Sequence, residues 1–183
     1  MNKIYPLEPL YDRDVSKLKH FPKGVIVFDR DGTLVEDAGQ HNDPDRLSLR
    51  PGAVEGVFLL KAMGFGIAIA SNQAGLETEK FTLSNLTDFN EALKKNFMDG
   101  KSEGIDLILI CPHKESTNCD CRKPKNGLLE AIRKSGLGEP ILFFGDAETD
   151  RLAATASSIE FRNVATSDIL EQIENWIWTH ELS

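Results

Sequence analysis

"VIVFDRDGTLVED", residues 25–37, runs from four consecutive apolar residues straight into two aspartates one position apart. An unbroken apolar run is how a strand buried on both faces reads. The carboxylates of Asp29 and Asp31 at its end repel each other unless a cation lies between them or one keeps a proton. The same arrangement, an apolar run closed by polar side chains, recurs along the chain. Further runs lie at 67–70, 107–110, 141–144 and, with weaker apolar character, 159–164.

Helical patterns separate the runs. Residues 51–64 carry Pro51 at a first-turn position, Ala53, Val57 and Leu60 on one face, and Gly64 at the stop. Residues 82–97 carry a stripe of Leu86, Phe89, Leu93 and Phe97. Residues 126–135 bury Leu128 and Ile132 and stop at Gly136, and residues 168–179 turn in Ile169, Ile173, Trp176 and Ile177. These stripes read as core rather than as binding surfaces. Strand and helix in alternation predict an α/β fold, a doubly wound parallel sheet with right-handed crossovers. Ligands bind such sheets at the carboxyl ends of the strands. There the sequence sets Asp29, then Ser71 and Asn72, then Cys111 and His113, then Gly145 and Asp146.

The bulk properties narrow the function. With 183 residues the chain suits one domain over 24–183, preceded by a polar arm over 1–23 with Pro6, Pro9 and Pro22. A formal charge of −8 argues against a general nucleic-acid binder, although a metal ion and a few local cations can still make one cleft attract an anion. No apolar run reaches the roughly 18 to 20 residues of a membrane span, and the first residues lack the apolar stretch of a signal peptide. The three cysteines, Cys111, Cys119 and Cys121, fall within eleven residues. That odd, tight cluster suits a metal knuckle better than disulfides, and a cytoplasmic protein is expected.

A second acid pair, Asp146 and Asp150 in "FFGDAETD", also follows an apolar run. Taken alone, each pair could be a solvated turn. Hard oxygens brought together from two strand ends are also how a Mg²⁺ site is built, with water and phosphate completing the shell.

"DRDGTL", "SNQAG", "CRKP" and "GDAETD", in that order and each after an apolar run, resemble the four motifs of the haloacid dehalogenase (HAD) superfamily of phosphohydrolases, over residues 25–165. The resemblance implies a role for each matching residue. Asp29 is the nucleophile and becomes a transient aspartyl phosphate. Asp31 is the general acid and then the general base, with Thr33 helping to orient it. The Asp29 carboxylate, the Asp31 backbone carbonyl and Asp146 hold Mg²⁺, and Asp150 stands behind them or reaches the ion through water. Ser71 and Asn72 bind the phosphoryl group, and Lys123 offsets its charge.

"CPHKESTNCDCRKP" sets Cys111, His113, Cys119 and Cys121 on one loop. Four such ligands suit structural Zn²⁺ in a closed tetrahedron. The alternative, reduced cysteines packed as small hydrophobes, fits poorly with neighbours as polar as Lys114, Glu115, Asn118 and Asp120. Cys-x-His and Cys-x-Cys directly before "RKP" resemble the superfamily group containing heptose 1,7-bisphosphate phosphatases and the phosphatase domain of histidinol-phosphate phosphatases. In that group the zinc loop shapes the pocket in place of a large cap domain, and Arg122 matches a residue that touches substrate. Here too there is no room for a large cap, since 75–105 holds little beyond one helix.

Two features depart from the group. Ala147 stands where its members carry a cation, and the five-residue gap between His113 and Cys119 is short, nearer the histidinol-phosphate pattern. The flap over 36–52 offers His41, Asp43, Asp45 and Arg46, with His41 read as an exposed loop residue; His20 and His180 are also read as surface residues. The expectation is a Mg²⁺-dependent, zinc-stabilised monomeric phosphatase of a small phosphorylated sugar. The rivals are a histidinol-phosphate phosphatase, a polynucleotide 3′-phosphatase and a binder without turnover.

Overall fold

The computed structural model describes residues 8–36 and 42–181. His41 lies outside them. Strands β1 (Leu10–Tyr11), β2 (Val25–Phe28), β3 (Gly66–Asn72), β4 (Met98–Asp99), β5 (Ser102–Glu103), β6 (Leu107–Cys111), β7 (Pro140–Gly145) and β8 (Glu160–Asn163) alternate with helices α1 (Ala53–Ala62), α2 (Leu83–Asn96), α3 (Gly127–Lys134), α4 (Glu148–Ala156) and α5 (Ile169–Glu181). Six strands form one sheet in the order β1-β6-β3-β2-β7-β8. Every pairing in it is parallel except that of β1 with β6. The doubly wound architecture expected from the alternation is the one observed.

The unbroken apolar runs follow from burial on both faces. Ile26, Phe28, Ile67, Ile69, Leu142 and Phe144 join one core cluster with residues of α1, α2 and α5. Val25, Val27, Ala68, Ala70 and Phe143 join another with residues of α3 and α4. Alternate positions of each strand therefore serve opposite layers, so neither set can be polar.

The helices begin where their local chemistry lets them. Thr82 caps α2 in a reciprocal capping box with Asn85. Helix α1 starts after Gly52, so Pro51 lies outside its first turn. Two features were not read from the sequence. Leu10 and Tyr11 extend the sheet antiparallel to Ile110 and Leu109, and Asp12 accepts from the Ile108 N–H at 2.8 Å and from Lys94 at 2.9 Å. These residues cover the edge of β6, which would otherwise expose unpaired backbone groups. A two-stranded hairpin, β4–β5, follows α2 in the stretch expected to hold one helix.

The chain winds from β2 through β3 to β6 on one side, then crosses back to β7 and β8 on the other. Strand order reverses at β2, and a crevice opens at the carboxyl ends beside such a switch point. Among the described residues, no helix is long and apolar enough to cross a membrane.

Candidate active site

A cavity of about 200 Å³ opens at that switch point, and its lining includes Asp29, Asp31, Ser71, Asn72, Arg122, Lys123, Asp146 and Asp150. Of the residues assigned to phosphate chemistry from the sequence, Thr33 alone is absent from this wall. Ala147 is part of it as well.

Asp29 leaves β2 with its N–H bonded to the Phe144 carbonyl on β7, which fixes the strand end. Its carboxylate meets the Lys123 ammonium at 2.6 Å, and that ammonium also lies 2.6 Å from Asp150 and donates to the Ala70 carbonyl at 2.8 Å. Burial pulls the lysine pKa down, but Asp29 and Asp150 outweigh it and the net shift is upward, so the cation stays charged. Asp29 is pushed up to about 7, first by burial and then by Asp150 and Asp31, against the pull of Lys123. Burial and Asp150 also raise Asp146. One ammonium does not balance this group of acids.

Carboxylate oxygens of Asp29, Asp146 and Asp150 lie within 4.8 Å of one another. Three acids face one lysine in a largely buried site, and an all-oxygen donor set that outnumbers its cation fits a hard divalent ion. Gly32 lets the acids approach: its φ is +79°, and a side chain there would collide with the Asp146 carboxylate. Asp150 is 1% exposed and accepts from the Ala147 N–H at 3.1 Å, so it also caps α4.

Two residues expected to serve the phosphate site make further contacts. Thr33 was expected to orient Asp31, but its hydroxyl donates to Asp146 at 3.3 Å, because the turn at Gly32 carries it toward β7. Asn72 lines the cavity, yet its amide is engaged twice with the Lys123 backbone, donating at 3.0 Å and accepting at 3.0 Å. It secures the segment carrying the lysine. Asp31 is instead held by Arg30 and Gln73, to which sequence reasoning assigns no role. The one signal for Arg30 is its position, a basic residue between two acids just past the end of a buried strand.

Cys111, His113, Cys119 and Cys121 are buried and converge to within 4.8 Å. Their sulfurs stand 3.2 to 3.6 Å apart, and the His113 Nδ1 lies 3.3 Å from Cys121 and 3.5 Å from Cys111. A disulfide needs about 2.05 Å, whereas the edge of a zinc–thiolate tetrahedron is about 3.8 Å for bonds of about 2.3 Å. The set therefore fits a closed metal site. The hydrogen bond from Cys121 is the largest influence lowering Cys111 to about 6, and the same contact drives Cys121 up; these thiols cannot all ionise without a cation among them. Arg122 donates to the His113 carbonyl at 3.1 Å, so the loop holds an arginine of the cavity wall. Glu77 anchors the loop's other side, accepting from the Lys114 N–H and the Thr117 hydroxyl at 2.7 Å each.

In the flap, Asp43 caps the short 3₁₀ turn Pro44–Arg46, and neither it nor the exposed Asp45 and Arg46 lines the cavity. His20 and His180 are exposed.

The profile of the polynucleotide kinase 3 phosphatase family matches residues 24–169. The chain is 34% identical over 148 residues to a D-glycero-beta-D-manno-heptose-1,7-bisphosphate 7-phosphatase of Pasteurella multocida, covering 75% of this chain and 79% of that one. It is 32% identical over 161 residues to the histidine biosynthesis bifunctional protein HisB of Legionella pneumophila, covering 85% of this chain but only 45% of the relative. The chain thus spans less than half the length of that bifunctional protein. A D,D-heptose 1,7-bisphosphate phosphatase from B. bronchiseptica, solved with magnesium and phosphate, shares the fold with a TM-score of 0.72 at 24% identity, over 83% of this chain and 86% of that one.

Proposed function

Since the chain belongs to the polynucleotide kinase 3 phosphatase family, within the HAD superfamily, we propose that it is a Mg²⁺-dependent phosphatase of a small phosphorylated sugar, acting as a monomer in the cytoplasm. The observation that carries this reading is the Asp29 carboxylate at the cavity wall, braced by Lys123 at 2.6 Å and grouped with Asp146 and Asp150. A binding module needs cations around a phosphate; a buried acid set against the phosphate site is what nucleophilic attack on phosphorus needs.

Asp29, Asp146 and Asp150 would hold the magnesium ion, which when bound neutralises charge on the phosphoryl oxygens. Asp29 attacks phosphorus through a carboxylate oxygen, and the bond from phosphorus to the leaving oxygen breaks. Asp31 gives that oxygen a proton. In the second step Asp31 takes a proton from a water as the water attacks phosphorus, and the bond to Asp29 breaks, releasing phosphate. Ser71, 1% exposed and part of the cavity wall, steadies the phosphoryl group, and Lys123 offsets its charge. Arg122, held by the loop carbonyl, reaches toward the rest of the substrate. Zn²⁺ on Cys111, His113, Cys119 and Cys121 would do no chemistry; it fixes the segment that carries Arg122 and Lys123.

A histidinol-phosphate-type substrate, an amino-alcohol phosphate, is the second reading, favoured by the similarity to the bifunctional histidine-biosynthesis protein. Phosphate release from sugar mono- and bisphosphates, amino-alcohol phosphates and 3′-phosphorylated oligonucleotides, each with Mg²⁺, tests both. A preference of at least tenfold in kcat/KM for sugar phosphates is expected. Preference for the oligonucleotide would reject the small-metabolite reading, and no release from any of them would reject the phosphatase.

A further inference from the structure

We propose that Arg30, the residue between the two aspartates, is the positioning residue for the proton carrier: with Gln73 it locks the Asp31 carboxylate so that Oδ1 bears the transferred proton. This rests on the reading of Asp31 as general acid and base given above.

Arg30 is 1% exposed, which makes it a fully buried cation between two residues of the cavity wall, Asp29 and Asp31. A buried charge needs a partner and hydrogen bonds for its remaining donors. Its Nη2 donates to Asp31 Oδ2 at 3.0 Å, and its Nε is shared between Oδ1 and Oδ2 at 3.2 Å each. Its Nη1 donates to the Asn90 side chain at 3.0 Å, and the guanidinium lies 4.7 Å from the centre of the Phe89 ring. Asn90 is a buried polar residue on α2 among Leu86, Phe89 and Leu93. That helix therefore supplies both a flat surface and an acceptor to an arginine that lies outside the cavity wall. Arg30 does not touch the phosphate site; it reaches it through Asp31.

The contacts make the two carboxylate oxygens unlike. Oδ2 receives Arg30 Nη2 and also Gln73 Nε2 at 2.5 Å, which uses both of its lone pairs. Oδ1 receives only the longer shared contact from Nε, so it is the oxygen with a lone pair left for a proton. Gln73 is itself fixed, donating to Ser71 at 2.9 Å and accepting from Asn42 at 3.1 Å. A planar fork sets the plane of a carboxylate in a way a single ammonium does not.

The test is the dependence of kcat/KM on leaving-group pKa across aryl and alkyl phosphates, since good leaving groups need no proton and poor ones do. In Arg30→Lys and Arg30→Met, alkyl phosphates should lose about 100-fold or more, within the range of general acid catalysis, while p-nitrophenyl phosphate stays within about threefold. In an Asp31→Asn background, Arg30→Lys should change alkyl phosphate hydrolysis by less than about twofold, because groups acting as one unit do not add. If Arg30→Met does not fold, Arg30→Lys, which keeps the charge and loses the fork, carries the test. An unchanged leaving-group dependence in folded Arg30→Lys, or an undiminished effect beside Asp31→Asn, would overturn the assignment while leaving the phosphatase reading intact. A wild type that hydrolyses none of the series with Mg²⁺ would overturn that reading and this one with it.

Discussion

The Lys123 ammonium lies 2.6 Å from a carboxylate oxygen of Asp29, with the lysine 3% exposed. A further 2.6 Å separates the same nitrogen from Asp150, so one buried cation joins the ends of β2 and α4. Removing one partner of a buried pair costs about 3–5 kcal/mol because it strands the other charge. Lys123→Met should therefore lower stability by that order in urea unfolding and abolish turnover. A stability equal to that of the wild type would show that the pair is not carrying the buried charge.

Asp29→Asn keeps the shape of the side chain and removes the proposed nucleophile. Turnover should fall by at least about 10³-fold, with an unchanged circular dichroism spectrum and unchanged metal content on the cysteine loop. Trapping with a labelled substrate should mark wild-type protein at Asp29 and leave the variant blank. Turnover near the wild-type rate would remove the covalent route.

Elemental analysis should find one zinc ion per chain, lost in Cys119→Ser. Chelation that strips this ion while Mg²⁺ is kept in excess should abolish turnover, because Arg122 is held by the carbonyl of His113, a proposed zinc ligand. Full activity in zinc-free protein would separate the loop from the site.

Glu77 gives a dependence on pH. Burial alone would raise its pKa, but the Thr117 hydroxyl and the Lys114 N–H hold it below the usual glutamate value. A depressed carboxyl stabilises the fold fully above its unfolded pKa, about 4.3 for a glutamate, and loses that contribution as pH falls through the folded value. The difference in urea midpoint between wild type and Glu77→Gln should therefore be constant above about pH 6 and shrink as pH falls below the unfolded glutamate value of about 4.3. A difference that stays the same across the whole range would place the anchor elsewhere.

Much of the site was legible before any coordinates. Asp29, Ser71, Cys111 and Asp146 each stand at or just beyond the end of an apolar run, and strand ends in a doubly wound sheet share one rim. The cysteine–histidine set was legible because all four candidate ligands sit on one short loop. The edge strand at Leu10 and Tyr11 was not, since two residues carry no period and their pairing depends on the exposed edge of β6.

The amino-acid order by itself determined the parallel sheet, the helices on its two faces and the kinds of ligand delivered to each strand end, because burial on two faces forces continuous apolar runs and polar residues can follow only where those runs stop. Only the tertiary structure decided which partner each side chain takes. Thr33 turns to Asp146 across 113 positions of chain, Gln73 to Asp31 across 42 and Asn90 to Arg30 across 60. Such contacts depend on the facing strand or helix and on side-chain torsions, and no local periodicity encodes either.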